Sequence, residues 1–117
     1  MMLDSAILDD IRMAGGPDLL SRVVAMFLKT SPAVLQDIAS AVEQKDAKNL
    51  ERTAHRLKGS CLAVGAFSAS TVCRNLEMQG RGGNLDQAPV ELRKLEVELH
   101  EVRDALSALI STGGLSR

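Results

Sequence analysis

Residues 47–64 read AKNLERTAHRLKGSCLAV. Leu50, Ala54, Leu57, Cys61 and Val64 recur in alternating steps of four and three, a spacing that draws one apolar stripe along an α-helix. Such a stripe must face a core. His55 follows Ala54 by one residue, about 100° round the helix, so it is expected to point toward water. Glu51 and Arg52 stand one turn before it, Lys58 and Gly59 one turn after. The imidazole therefore has a cation and a missing side chain as neighbours on one accessible face. The glycine is the unusual choice, because a helix-interior Gly costs about 1 kcal/mol relative to Ala. Bare backbone beside the ring has a use if a bulky partner must approach it. The alternative is a glycine placed for helix packing, or early fraying.

Upstream, residues 17–44 predict a long helix with Leu20, Val24, Phe27, Val34, Ile38 and Val42 facing inward. Ser31-Pro32 interrupts it, and a kink is expected there, since proline removes a backbone bond and crowds the preceding turn. Residues 1–14 predict a short helix, with Asp4 or Ser5 as cap and Ile7, Leu8 and Ile11 as its apolar edge. Gly15-Gly16 breaks the chain between them, and Pro17 suits a first helical turn. Lys45-Asp46 makes a tight link, with Asp46 capping the helix that carries His55.

Downstream, Gly65 ends that helix, and the next begins near Phe67 or Ser68 with Ala69, Val72, Cys73 and Leu76 inward. Gly80, Gly82 and Gly83 with Asn84 are expected to terminate it. A last helix opens near Pro89 and runs to about residue 110. In it Leu92, Leu95, Leu99, Val102, Leu106 and Leu109 keep a three-four rhythm. The tail from Ser111 is expected to fray. No stretch alternates with period two, so no sheet is expected, and short connections imply antiparallel neighbours. The expected fold is all-α: an antiparallel up-and-down four-helix bundle with a short additional N-terminal helix. It forms one domain over 1–117, with an ordered core of about 3–110.

The 117 residues suffice for one modest core. The absence of Trp and Tyr, with only two Phe, disfavours stacking on bases. A net charge of −1 argues against nucleic-acid binding through phosphates. No apolar run is long enough to insert in a membrane and no signal-peptide pattern opens the chain. Cys61 and Cys73 fall on apolar stripes and read as reduced, small hydrophobes. A cytoplasmic protein is expected.

The helix after Gly65 carries its own polar row, Arg74, Glu77 and Arg81. The short connection sets this helix beside the one with His55. A carboxylate there can accept a hydrogen bond from one imidazole nitrogen, which fixes the tautomer and leaves the other nitrogen nucleophilic. Lys58 and Arg81 would then face an incoming anion, and Leu62 would offer apolar contact area.

His55-Arg56-Leu57-Lys58-Gly59-Ser60, then Gly65-Ala66, Cys73 and Leu76-Glu77, together resemble the histidine-containing phosphotransfer (HPt) domain of multistep phosphorelays. Leu3-Asp4, the stretch from Gly16 to Leu20, Phe27-Leu28 with Ser31-Pro32, and Asp46 extend the resemblance to nearly the whole chain. It implies a reversible relay. His55 accepts a phosphoryl group from the aspartyl phosphate of one receiver domain and passes it to the receiver of a response regulator. Lys58, Glu77 and Arg81 match positions supporting the phosphoryl group or the imidazole. Gly59 matches the small residue that gives the receiver room, and Arg52 and Leu62, on the same helix, are expected to border that docking face. The family often has Gln or Glu at the Glu77 position. The implied partners are receiver domains and a sensor histidine kinase, with no nucleic acid, and the isolated domain is a monomer. No cofactor is implied for this chain; Mg²⁺ belongs to the partner receiver. The chain lacks a glycine-rich nucleotide loop and an acidic metal cluster, so a carrier is expected, not a kinase.

Three rivals remain at this point. The dimerisation and phospho-acceptor hairpin of a histidine kinase uses two helices per chain and usually has an acidic residue after the histidine, where Arg56 stands. A metal site from His55, His100, Cys61 and Cys73 lacks paired ligand spacing. A plain helical adaptor would have no chemistry at His55.

Overall fold

The computed structural model describes residues 3–111 and places them in four helices: α1 (Ser5–Glu43), α2 (Ala47–Ala63), α3 (Phe67–Gly82) and α4 (Ala88–Ser111). Each helix packs on its sequence neighbours, and α4 closes the ring against α1. The apolar stripes meet inside. Leu20, Val24, Phe27 and Ile38 of α1, Leu50 and Leu57 of α2, Leu76 of α3 and Leu95, Leu99, Val102 and Leu106 of α4 are all buried. The tail at 112–117, expected to fray, lies outside the described residues. Among the described residues no helix is long and apolar enough to cross a membrane.

Asp4 is the cap of α1, its carboxylate accepting from the Ala6 N–H at 2.9 Å. The two helices expected on either side of Gly15-Gly16 are both present, joined end to end within α1 across a kink at Gly16. Helical geometry fails only at Gly16, with φ 75° and ψ −172°. A single residue turns the chain, and Pro17 resumes the helix at once because its missing N–H falls where no helical bond is due. The arm before Gly16 buries Leu8 and is tied down by the Asp4 N–H, which donates to the Gly65 carbonyl at 2.8 Å.

At Pro32 the helix continues with helical dihedrals. Proline there removes the N–H that would bond the Leu28 carbonyl. Arg103 of α4 replaces it: its Nη1 donates to the Leu28 oxygen and to the Ser31 hydroxyl, both at 2.8 Å. Ser31 is buried and Leu28 half-buried, so the guanidinium supplies a partner to two polar groups with little access to water.

The links α1–α2 and α2–α3 share one turn. In the first, the Lys45 and Asp46 N–H groups donate to the Val42 and Ala41 carbonyls at 3.2 and 2.9 Å. In the second, Gly65 and Ala66 donate to Leu62 and Cys61 at the same two distances. Both need a left-handed residue after the cap, filled by Lys45 (φ 55°) and Gly65 (φ 74°). Lys45 is exposed. Gly65 has no such freedom, because a Cβ there would lie 2.9 Å from the Asp4 carbonyl oxygen.

Gly80 was expected to help end its helix. It lies instead inside α3 and is buried; Gly83, at φ 78°, is the left-handed residue that ends the helix. A Cβ on Gly80 would stand 2.6 Å from the Ala47 carbonyl oxygen and from the Glu51 nitrogen. It is the point where α3 presses backbone to backbone on the first turns of α2, one turn away from Glu77.

Candidate functional site

Asp46 starts α2 by accepting from the Asn49 N–H at 3.1 Å. Nine residues on, His55 leaves the buried stripe and stands with 67% of its side chain exposed. Glu77 comes from α3 and is 5% exposed. Its two oxygens are divided. Oε2 lies 2.7 Å from His55 Nδ1, and Oε1 accepts from Lys58 Nζ at 2.7 Å. His55 and Lys58 are three apart on α2, so one carboxylate spans both. Burial acts to raise the Glu77 pKa, but the hydrogen bonds from Lys58 and His55 outweigh it and hold the carboxyl below its ordinary range. An ionised carboxylate only accepts, so Nδ1 carries the proton. In the neutral ring Nε2 then holds the lone pair, on an imidazole open to solvent.

Arg81, expected with Lys58 to face an incoming anion, lines a groove with it and is also engaged by α2: its Nε donates to Glu51 Oε2 at 2.9 Å, while its Nη2 is 3.6 Å from Glu77 Oε2. The sequence reading placed Glu51 only as a neighbour of His55 and missed this role. The signal was there, since Glu51 and Arg81 are the acid and base that an antiparallel α2–α3 register opposes near Gly80. His55, Glu51, Arg52, Glu77, Arg81 and Lys48 line one groove of about 670 Å³. Arg52 is exposed and donates to Asn49 Oδ1 at 2.6 Å.

A Cβ on Gly59 would meet nothing within 4 Å, so packing inside this protein does not require a glycine there. Leu62, one turn beyond Lys58, is 44% exposed. It shares a second groove of about 500 Å³ with Lys58, Arg74, Met78 and Arg81. The site residues read from the sequence are thus gathered on one face of α2 and α3, with Arg81 held back by Glu51.

The other polar candidates lie elsewhere. Cys61 and Cys73 are buried and unbridged, and a hydrogen bond with Cys61, together with burial, pushes the Cys73 thiol up. His100 is exposed and 3.3 Å from Asp104. Among the described residues no group of three or more His, Cys, Asp or Glu is arranged to hold a metal ion.

A family model for the Hpt domain matches residues 22–111. The chain is 26% identical over 125 residues to histidine-containing phosphotransfer protein 1 of Arabidopsis thaliana, covering 97% of this chain and 81% of the plant protein. It is 28% identical over 101 residues to the sensor protein TorS of Escherichia coli K12, covering 85% of this chain and 11% of TorS. Among solved structures, histidine-containing phosphotransfer protein B from Pseudomonas aeruginosa PAO1 aligns with a TM-score of 0.87 at 28% identity, over 92% of both chains. The HPT domain of a sensor hybrid histidine kinase from Shewanella shares the fold, with a TM-score of 0.81 at 21% identity over 95% of both chains. A match that runs through the helix bearing His55, joined to this agreement of structure, settles the family: the chain belongs to the Hpt domains.

Proposed function

We propose that this protein is a phosphorelay intermediate that carries a phosphoryl group on His55 Nε2. The observation that carries the reading is the exposed imidazole whose Nδ1 is engaged by a buried, ionised Glu77 at 2.7 Å. In the forward step the Nε2 lone pair attacks the phosphorus of a receiver's aspartyl phosphate. The N–P bond forms as the acyl P–O bond breaks, and the aspartate carboxylate leaves. Transfer to the receiver of a response regulator is the reverse of this step.

The chain's own part is positioning and charge. Glu77 holds the ring and its tautomer. Lys58 has three N–H donors and spends one on Glu77, which leaves two for phosphoryl oxygens and offsets the carboxylate's charge. Arg81 lines the same groove as His55 and can turn from Glu51 toward the new anion. Gly59, Arg52 and Leu62 border the face where the receiver sits. In this reading the chain is a phosphotransfer carrier, a cytoplasmic monomer serving receivers and a sensor kinase. Nucleotide and Mg²⁺ chemistry stay with those partners. The kinase-hairpin alternative is not proposed, because four helices already close around one core within one chain.

The test is transfer from a receiver carrying radiolabelled aspartyl phosphate. His55→Gln is expected to keep its helical circular dichroism and to take no label. A variant labelled like the wild type would overturn the assignment.

A further inference from the structure

Arg81 has two carboxylates within reach and is divided between them. Its Nε donates to Glu51 Oε2 at 2.9 Å. Its Nη2 lies 3.6 Å from the Glu77 oxygen that holds His55 Nδ1. The hydrogen bond to Glu51, and then the Glu51 charge, hold the Arg81 pKa above its usual range, ahead of any influence from Glu77. While His55 is bare, Glu51 therefore has first hold on the guanidinium.

The backbone sets this arrangement. Gly80 brings α3 so close to α2 that a Cβ there would stand 2.6 Å from the Glu51 nitrogen and 3.0 Å from its Cα. Arg81 is the next residue of α3. Main-chain contact thus puts Glu51 and Arg81 side by side, while their side chains stay able to change partners. Arg81 is 59% exposed and Glu51 34%, so water can take over the Glu51 oxygens when the guanidinium leaves. A pair so exposed is weak. Glu51, His55, Glu77 and Arg81 all line one groove. A phosphoryl group on His55 Nε2 would bring negative charge and three strong acceptor oxygens there. The planar guanidinium fits such oxygens with two parallel bonds.

We propose that Glu51 is a positioning residue that acts through Arg81: it holds the guanidinium away from the bare ring and releases it to the phosphoryl oxygens once His55 is phosphorylated. This deepens the phosphotransfer reading and rests on it. The exchange enters the free energy of the phosphohistidine. Each phosphorylation must break the Glu51–Arg81 pair, so the pair lowers the phosphoryl affinity of His55 and keeps the group easy to pass on.

The test needs no receiver. Phosphoramidate gives its phosphoryl group to the imidazole: the new N–P bond forms as the old one breaks, and ammonia leaves. At fixed pH and a fixed ratio of phosphoramidate to ammonia, phosphorus NMR reads the ratio of phosphorylated to free His55. Glu51→Gln and Glu51→Ala, each checked for wild-type helical circular dichroism, are expected to raise that ratio by about two- to fivefold. In an Arg81→Ala background the same substitutions should lose most of the gain. An unchanged ratio would overturn the proposal. So would an equal gain with and without Arg81, which would show Glu51 acting by its charge alone. The wild-type Arg81 Nε–H resonance gives a check that needs no substitution. It is expected to move when His55 is phosphorylated, and a resonance that stays put would overturn the release. Wild-type protein that takes no phosphoryl group at all would refute the phosphotransfer reading itself and the proposal with it, an outcome distinct from the others.

Discussion

Arg103 and Glu77 each reach from one helix to the next, Arg103 from α4 to α1 and Glu77 from α3 to α2. Arg103 Nη1 ends on the Leu28 carbonyl and the Ser31 hydroxyl, and the exchange is complete inside the protein. Glu77 ends on His55 and Lys58, side chains that keep a lone pair and spare protons facing solvent. Both are charged groups set among helices, and both are satisfied, which is the condition for a polar group to be tolerated there. The difference is at the far end. A network closed on itself fixes the fold, while one saturated at its buried end and open at its surface end leaves something to react.

Removing each crossing residue should therefore damage a different property. Glu77→Ala frees the ring's tautomer and releases Lys58, and receiver-to-His55 transfer is expected to slow by about 10–100-fold, read by rapid-quench kinetics. Glu77→Gln keeps an acceptor for Nδ1–H and should lose less. Equal losses in the two variants would show that the charge, not the hydrogen bond, is what matters.

Arg103→Ala should leave transfer intact and lower stability by about 1–3 kcal/mol, because the Leu28 carbonyl and Ser31 lose their partner. Pro32→Ala restores the N–H that bonds Leu28, so in that background Arg103→Ala should cost less. Urea unfolding of the four proteins in this cycle measures the coupling, and strict additivity would contradict the compensation.

Acid should separate the two regions again. Glu77 has a folded pKa held below the ordinary 4.5. Its contribution to stability is then full above the unfolded value and fades as pH falls through the lower folded one. The stability difference between wild type and Glu77→Gln should be flat near neutral pH and shrink below about 4.5. The Arg103→Ala difference should show no such dependence, and urea midpoints along a pH series test both.

The smallest effect belongs to Gly59. Its Cβ position is empty, so Gly59→Ala should raise stability by about 1 kcal/mol while slowing transfer from receivers. A variant both more stable and equally fast would remove the need for bare backbone beside His55.

Most of the fold was legible because each helix writes its own stripe. The inward positions named from periodicity are buried from Leu20 onward in α1 and throughout α2 and α3, while Ile7 and Ile11 in the N-terminal arm, and Leu92 and Leu109 at the ends of α4, are half-buried. Asp4 and Asp46 were legible as caps for the same local reason. What resisted reading depends on two segments meeting. Gly80 looks like a helix stop until Ala47 and Glu51 are seen against it. Pro32 announces a lost bond but not the arginine, 71 residues later in the chain, that repairs it. At the site, His55, Lys58 and Glu77 came together as expected, since one register of α2 against α3 brings them all within reach. Arg81 lies beside them, 3.6 Å from Glu77, but its bond to Glu51 was not legible, because the choice between Glu51 and an anion is a contest among distances that spacing along the chain cannot rank.

The proline and its distant arginine also set a rule for anyone who would recombine this scaffold. An α4 taken from a relative without an arginine at that register would leave a bare carbonyl in the seam, and an α1 without the proline would make the guanidinium redundant. Chimeras should move the first and last helices as a matched set, and any exchanged α2–α3 hairpin must keep a glycine where Gly65 meets Asp4.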